Sequence, residues 1–530
     1  MGNAAATVTI ERSEYDFLLN AKSRIVELEA LVKWYENQLL SAKRRLFGSS
    51  SEKTDVDFRQ LALFGEAVAP EQPVPETEEI AYKRKKRRGK REEDLSDLPV
   101  ERINYELPES GRICPDCGDI MRDVGVRTRR ELKLIPAKVV VLEHAAHTYA
   151  CRNCAENGER TPFLKAQAPK ALIAGSLASP SLVAYIAAQK YCNGMPLCRL
   201  EKGFSYDGVT ISRQTMANWV IQCSERYLEP LCEVLKRHLL AENALHSDET
   251  PVQVLREPGR AATTKSYEWV YRTSGCSKHK IVVYEYKQTR SGEHLKKFLK
   301  DFKGLLHTDG YQAYHNLPPG ITVIGCWAHV RRKFEDILKK IPGDRRKGTS
   351  AETGVAYINA LFSLERKFSG LPPKERYEKR LEKSKPIADA FFEWAASLGA
   401  LPKSPIGGAV HYALSQRKYL ENVFLDGCAE VSNNRAERSV KPFVMGRKAW
   451  LFSNTPAGAA ASSVMYTLIE TAKENGLHPY RYLEFLLETL SSNSTLDLET
   501  LLPWNDTLPE TCRVQQTKKE THTNGKNEKC

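Results

Sequence analysis

From Ala241 to Trp327 the chain reads as short strands separated by turns and interrupted by helical pieces, and no other stretch constrains the fold as tightly. LHSDETPVQVL, SYEWVYRT and HKIVVYEY are three β-like runs divided by turn or charged segments. A helix, SGEHLKKFLKDF, follows, then a strand, GLLHTDG, a short helix, YQAYHNL, and a strand, ITVIGCW. The order β-β-β-α-β-α-β predicts an α/β domain built on a mixed sheet. Asp248 falls within the first strand and Asp309 just past the fourth. Glu249 adjoins Asp248, but successive strand residues face opposite ways, so only one of them can join a common site.

This element order matches the ribonuclease-H-like layout, in which the first and fourth strands are neighbours. A third acidic residue, Glu437 in SNNRAERSVKP, lies far downstream on a short helix expected to end at Pro442. Carboxylates delivered from separate segments of one sheet suit divalent metal ions. Oxygen ligands fit magnesium or manganese, and two such ions can activate a nucleophile and stabilise the leaving oxygen in phosphoryl transfer. Each acidic residue also has a plainer reading. Asp309-Gly310 can be a turn, and Glu437 can close a capping box at N3 with Asn434 as N-cap. Against the capping box, Arg435, Arg438, Lys441, Arg447 and Lys448 are expected to surround the carboxylate with positive charge, as phosphates held beside metal ions would require.

A Lys/Arg-rich helical insertion is expected over 331–426, dividing a catalytic core of 236–330 and 427–490; a tail follows at 491–530. Cys326 and His329, just ahead of the insertion, stand at Cys-x2-His spacing, and two ligands do not close a zinc site. Their default role is structural support of the strand end near Asp309. Arg331 and Arg332, beside them, are candidates for phosphate contact.

Upstream, residues 101–165 carry Cys114-Pro-Asp-Cys117 and Cys151-Arg-Asn-Cys154, two matched knuckles that supply four thiolates for one tetrahedral, structural zinc ion. LKLIPAKVVVLEH and HTYAC between them alternate as strands do. His144 and His147, three apart on such a strand, face opposite ways and are bystanders. Residues 166–235 read as helices. There Ser212 caps a segment on which Ile211, Thr215, Trp219 and Val220 can line one face. A short helix, a glycine-containing turn and a capped second helix resemble a helix-turn-helix, which would turn Arg213, Gln214 and Asn218 toward base edges; many helix pairs bind no DNA.

The N-terminal segment, 1–47, holds the clearest helix: Leu18, Ile25, Val32, Leu39 and Leu46 recur every seven residues, with Ala21, Leu28, Tyr35 and Ala42 interleaved. That spacing is either a coiled-coil seam joining subunits or a helix packed on its own core. Residues 48–100 lose all periodicity and read as a linker ending in a basic run, KRKKRRGKR, which either is simply solvated or touches phosphates. This run holds eight of the charges behind a net +13, so a polyanion is the natural partner, though the whole surface is not basic. No eighteen-residue apolar window and no export signal are present, and thirteen cysteines thinly spread read as reduced thiols in a cytoplasmic protein.

SDETP, HTDGYQAY, CWAHVRRKF, LPKSP, NNRAERSVKPFVMGRKAWLF and YTLIETAKENG stand in an order and spacing that resemble transposases of the insertion sequence 66 family, in the DDE superfamily. The resemblance runs from the N-terminal zipper to LLPWN. It implies that Asp248, Asp309 and Glu437 are the metal-binding triad of an enzyme that cleaves DNA at the element's ends and joins the freed 3′-hydroxyl to target DNA. It also implies two magnesium ions, DNA as partner, a homo-oligomer (a dimer through the zipper) and accessory proteins from the same element.

Overall fold

The computed structural model describes residues 138–150, 163–493 and 496–514. The heptad helix, the linker with its basic run, and Cys114, Cys117, Cys151 and Cys154 lie outside the described residues. The described chain forms two compact units, 235–444 and 138–234 together with 445–514.

In chain order, β1 (Thr148–Ala150) pairs antiparallel with β2 (Phe163–Lys165). Residues 139–142, expected in a strand, are exposed and not part of one. Three helices follow: α1 (Pro180–Tyr191), α2 (Leu197–Tyr206) and α3 (Arg213–Cys223). The turn between α2 and α3 passes through Gly208 at φ 76°, a left-handed conformation that costs glycine least. Ser212 caps α3 by accepting from the Thr215 amide at 3.1 Å. Met216, Trp219 and Val220 form its buried face, while Arg213, Gln214 and Asn218 are exposed.

After α4 (Glu229–Leu240) come β3 (Ala244–Gln253), β4 (Lys265–Thr273) and β5 (Val282–Lys287), an antiparallel meander. Helix α5 (Gly292–Phe298) carries the chain back across the sheet, so that β6 (Gly304–His307) and β7 (Ile321–Ile324) add in parallel on the other side of β3. The sheet order is β5-β4-β3-β6-β7, with β3 at the centre. The short helix expected after β6 is a single 3-10 turn, Gln312–His315.

The insertion consists of α6 (Trp327–Leu338), α7 (Ser350–Phe368), α8 (Pro373–Lys379), α9 (Lys385–Ser397), α10 (Pro405–Ser415) and α11 (Arg417–Glu421). Trp327, Phe334, Phe391 and Phe392 make its core, which also buries Ile324 from the sheet. This core fixes the start of α6 against the end of β7. Buried Arg380 is balanced by a two-pronged pair with Glu365 at 2.7 Å on both contacts.

The chain then enters α12 (Asn434–Trp450), α13 (Pro456–Glu474) and α14 (Pro479–Ser492). Two expectations fail here. Pro442 does not end α12; the helix runs through it. A proline inside a helix removes one hydrogen bond at a cost of about 3 kcal/mol, and the packing that offsets this is visible: Ala436, Val440 and Phe443 are buried, and the Tyr284 hydroxyl donates to the Ser439 carbonyl in the disturbed turn. Nor does the region to residue 490 all belong with the sheet. Helices α13 and α14 pack with α1 and α3, where the Tyr191 ring meets Tyr466 edge-on and its hydroxyl lies 3.2 Å from that of Ser462. Helix α13 is apolar around much of its girth, so it needs helices on several sides. Among the described residues no helix is long and apolar enough to cross a membrane.

Candidate active site

Strand β3 presents two chemically different faces. His246 and Asp248 share one, and Ser247 and Glu249 the other, as the period of two requires. Because β3 pairs in parallel with β6, residue 246 lies beside residue 307 and the chain leaves β6 toward Asp309 at the same end where β3 reaches Asp248. The His246 and His307 rings stack, with centroids 4.1 Å apart.

Asp248 is half-buried, and its Oδ1 accepts from the Glu249 amide at 2.8 Å. Burial first, then the charges of Glu249, Asp309 and Glu437, push its carboxyl well above the ordinary range. Three carboxylates thus reach one another electrostatically, from β3, from the end of β6 and from α12. No ion pair to Asp248 or Asp309 occurs among the described residues. Hard oxygen donors that raise one another's charge cost in this way suit a divalent cation.

Asp309 also shapes its own turn: its Oδ1 accepts from the Tyr311 amide at 2.9 Å. The turn and the site are therefore not alternatives, since one carboxylate oxygen serves the turn. Gly310 is required by a close approach, because a Cβ there would sit 2.6 Å from the Tyr412 hydroxyl of α10.

Glu437 is not part of a capping box. The Glu437 amide donates to the Asn433 carbonyl at 3.2 Å, which makes Asn433 the N-cap and places Glu437 one position later than N3. Its carboxylate meets α6 instead, with Oε1 3.0 Å from His329 Nε2 and Oε2 3.4 Å from Arg332. Burial alone would raise this carboxyl; His329 and Arg332 outweigh it and hold Glu437 below its ordinary value. The cations that hold Glu437 thus come from α6, not from the basic residues of its own helix. Arg435 is committed to Glu430 at 2.8 Å, Arg438 is exposed and Lys441 half-buried. Arg331 turns into the insertion, pairing with Asn359 at 2.6 Å and Glu335 at 2.9 Å, and is not available for phosphate.

Cys326, His329 and Glu437 bring ligand atoms within 4.8 Å of one another. Burial pushes the Cys326 thiol up to about 12, so it is a protonated acceptor of the Asn433 amide at 3.2 Å. The trio reads as a hydrogen-bonded joint between α6 and α12.

On the opposite face, Glu249 is enclosed: Arg290 pairs with it, through Nε at 2.6 Å, and the Tyr314 hydroxyl donates to it. The Arg290 guanidinium lies over the Tyr311 ring, 3.7 Å from its centroid.

The family profile described as transposase IS66 family matches residues 175–461, more than half of this chain. The chain belongs to the IS66 transposase family. Three further IS66-related profiles match outside that span. One described as the zinc-finger binding domain of transposase IS66 covers 112–155, with all four knuckle cysteines inside it. One described as transposase C of IS166 homeodomain covers 34–103, which reaches well past the expected end of the heptad helix. The IS66 C-terminal element covers 467–504, the end of α13 and all of α14. The chain is similar to uncharacterized protein y4qI of Sinorhizobium fredii, 32% identical over 77% of this chain and 76% of that one. It is also similar to uncharacterized protein y4jD of the same organism, 28% identical over 91% and 96%.

Sequence reasoning passed over His246, His307 and Asn433. A signal existed for the histidines: LHSDET and LLHTDG both place His two residues before Asp, on the same strand face.

Proposed function

We propose that this IS66-family transposase cleaves DNA at the ends of its element and transfers the freed 3′-hydroxyl to target DNA, on a ribonuclease-H-like core, with Asp248, Asp309 and Glu437 as the metal-holding carboxylates. The observation that carries this reading is the placement of Asp248 on β3, Asp309 just past β6 and Glu437 on α12 near enough that, after burial and Glu249, both Asp309 and Glu437 raise the Asp248 carboxyl. The sheet order, with a central strand flanked by an antiparallel pair and a parallel pair, supports the core assignment.

Two magnesium ions, when bound, would supply activation of the attacking oxygen and stabilisation of the leaving one. Asp248 and Asp309 provide hard donors on neighbouring strands, and His329 with Arg332 keeps Glu437 ionised and aimed. Arg332 and Arg438 are the proposed phosphate contacts near the site. The exposed residues Arg213, Gln214 and Asn218 of α3 are the proposed base contacts. One zinc ion on Cys114, Cys117, Cys151 and Cys154 would hold the end-recognition module, and the heptad helix would join two subunits so that both ends are held together. Accessory proteins of the same element are further proposed partners.

A strand-transfer assay with pre-cleaved element ends tests this. Wild type is expected to join them to a target, and Asp309→Asn to bind ends but neither cut nor join. Cuts without joining would instead identify a nuclease, and end binding with no product a catalytically inactive regulator.

A further inference from the structure

Asn433 is 1% exposed, and each of its polar groups is used. Its side-chain Nδ2 donates to the Ser247 carbonyl at 2.8 Å, which fixes the amide orientation, since a carbonyl can only accept. Its Oδ1 is therefore an acceptor, and His246 Nδ1, 3.0 Å away, is the donor to it. Its backbone amide donates to Cys326 Sγ at 3.2 Å, and its carbonyl accepts from Glu437. One residue thus ties three segments together, through its side chain to β3 immediately before Asp248 and through its backbone to the start of α6 and the first turn of α12. Residues four apart on a helix lie on one face, about 6 Å apart along the axis, so Glu437 stands one turn above the point where Asn433 grips β3.

The chain leading to Asn433 is fastened as well. The Glu430 amide donates to His307 Nε2 at 2.6 Å, while His307 Nδ1 donates to the Leu245 carbonyl at 2.9 Å. The Glu430 carboxylate lies 3.4 Å from His246 Nε2 and is paired with Arg435. Segment 430–433 is therefore clamped to both aspartate strands, in each case through a histidine two residues before the aspartate.

We infer that Asn433, held by His246 and Cys326, is the positioning residue that sets where Glu437 stands relative to Asp248 and Asp309. The inference rests on the carboxylate reading above. Asparagine is specific to the task, because aspartate cannot donate to the Ser247 carbonyl and alanine leaves that carbonyl and the His246 donor facing nothing.

The test is Mn2+ affinity of the full chain without DNA, read by electron paramagnetic resonance, with thermal unfolding recorded in parallel. Asn433→Asp and Asn433→Ala are expected to weaken Mn2+ binding tenfold or more while remaining folded; affinity within twofold of wild type overturns the inference. Cys326→Ala, a milder loosening of the same joint, is expected to weaken binding at least threefold, and Cys326→Ser, which keeps an acceptor for the Asn433 amide, to restore it. Unchanged affinity in Cys326→Ala overturns the inference however the Asn433 variants fold. Asp309→Asn separates the two claims. If it binds Mn2+ as wild type does, both fall; if it loses binding while the Asn433 variants keep it, only the positioning role falls.

Discussion

The two faces of β3 treat adjacent carboxylates in opposite ways. Glu249 is enclosed by Arg290 and Tyr314, which offset part of what burial and the charge of Asp309 do, and its carboxyl stays above the ordinary range. Asp248, the next residue back, has no ion pair among the described residues, and the charges of Glu249, Asp309 and Glu437 add to what burial already does to its carboxyl. A paired buried carboxylate contributes to the fold. One crowded by others leaves a charge deficit that a cation can fill. The difference separates a structural acid from a site acid without reference to sequence motif.

The largest effect is expected on the crowded face: Glu437→Gln should lower cleavage of element-end DNA on the order of a thousandfold, with end binding retained in a gel-shift assay. On the paired face, Glu249→Gln should act on stability, lowering the unfolding free energy by about 1–3 kcal/mol in urea titrations. Gly310→Ala should cost about 1–3 kcal/mol through overpacking against Tyr412, with much of it recovered in a Tyr412→Phe background; no recovery would show that the close approach is not what selects glycine.

A third carboxylate sharpens the rule. Glu257, buried beyond the end of β3, accepts hydrogen bonds from Ser266, Tyr286 and Arg260, which together outweigh burial and lower its pKa. A carboxylate with a depressed folded pKa contributes stability above its unfolded value of about 4.3, and loses it as pH falls through the folded value. Glu257→Gln should therefore be about 1 kcal/mol less stable than wild type at neutral pH. That gap should close as urea titrations are repeated toward pH 3, and a gap independent of pH would contradict the assignment.

Much of the sheet was readable from sequence because its signals are local. Alternation marks β3 to β5, and Asp309-Gly310 marks the exit from β6; the likeness of this order to the ribonuclease-H-like layout then set Asp248 and Asp309 on neighbouring strands. Glu437 could be picked out, but its partners could not: His329 and Arg332 lie in the segment that opens the insertion, and only tertiary packing brings α6 to α12. Charges nearby in sequence, such as Arg435, proved a poor guide, since a helix turns successive residues to different sides. Pro442 misled for a related reason, because burial and Tyr284 outweigh a local propensity. The placement of α13 and α14 with α1 and α3 had no sequence signal, since an apolar helix does not state which helices will cover it.

The central claim is that Asp248 serves the site and Glu249 the fold. The most direct measurement is the cleavage rate of element-end DNA by Asp248→Asn and Glu249→Gln, side by side at saturating magnesium and at a temperature where both are folded. The expected result is a loss on the order of a thousandfold for Asp248→Asn and a rate within about tenfold of wild type for Glu249→Gln. Equal losses, or the reverse order, would contradict it.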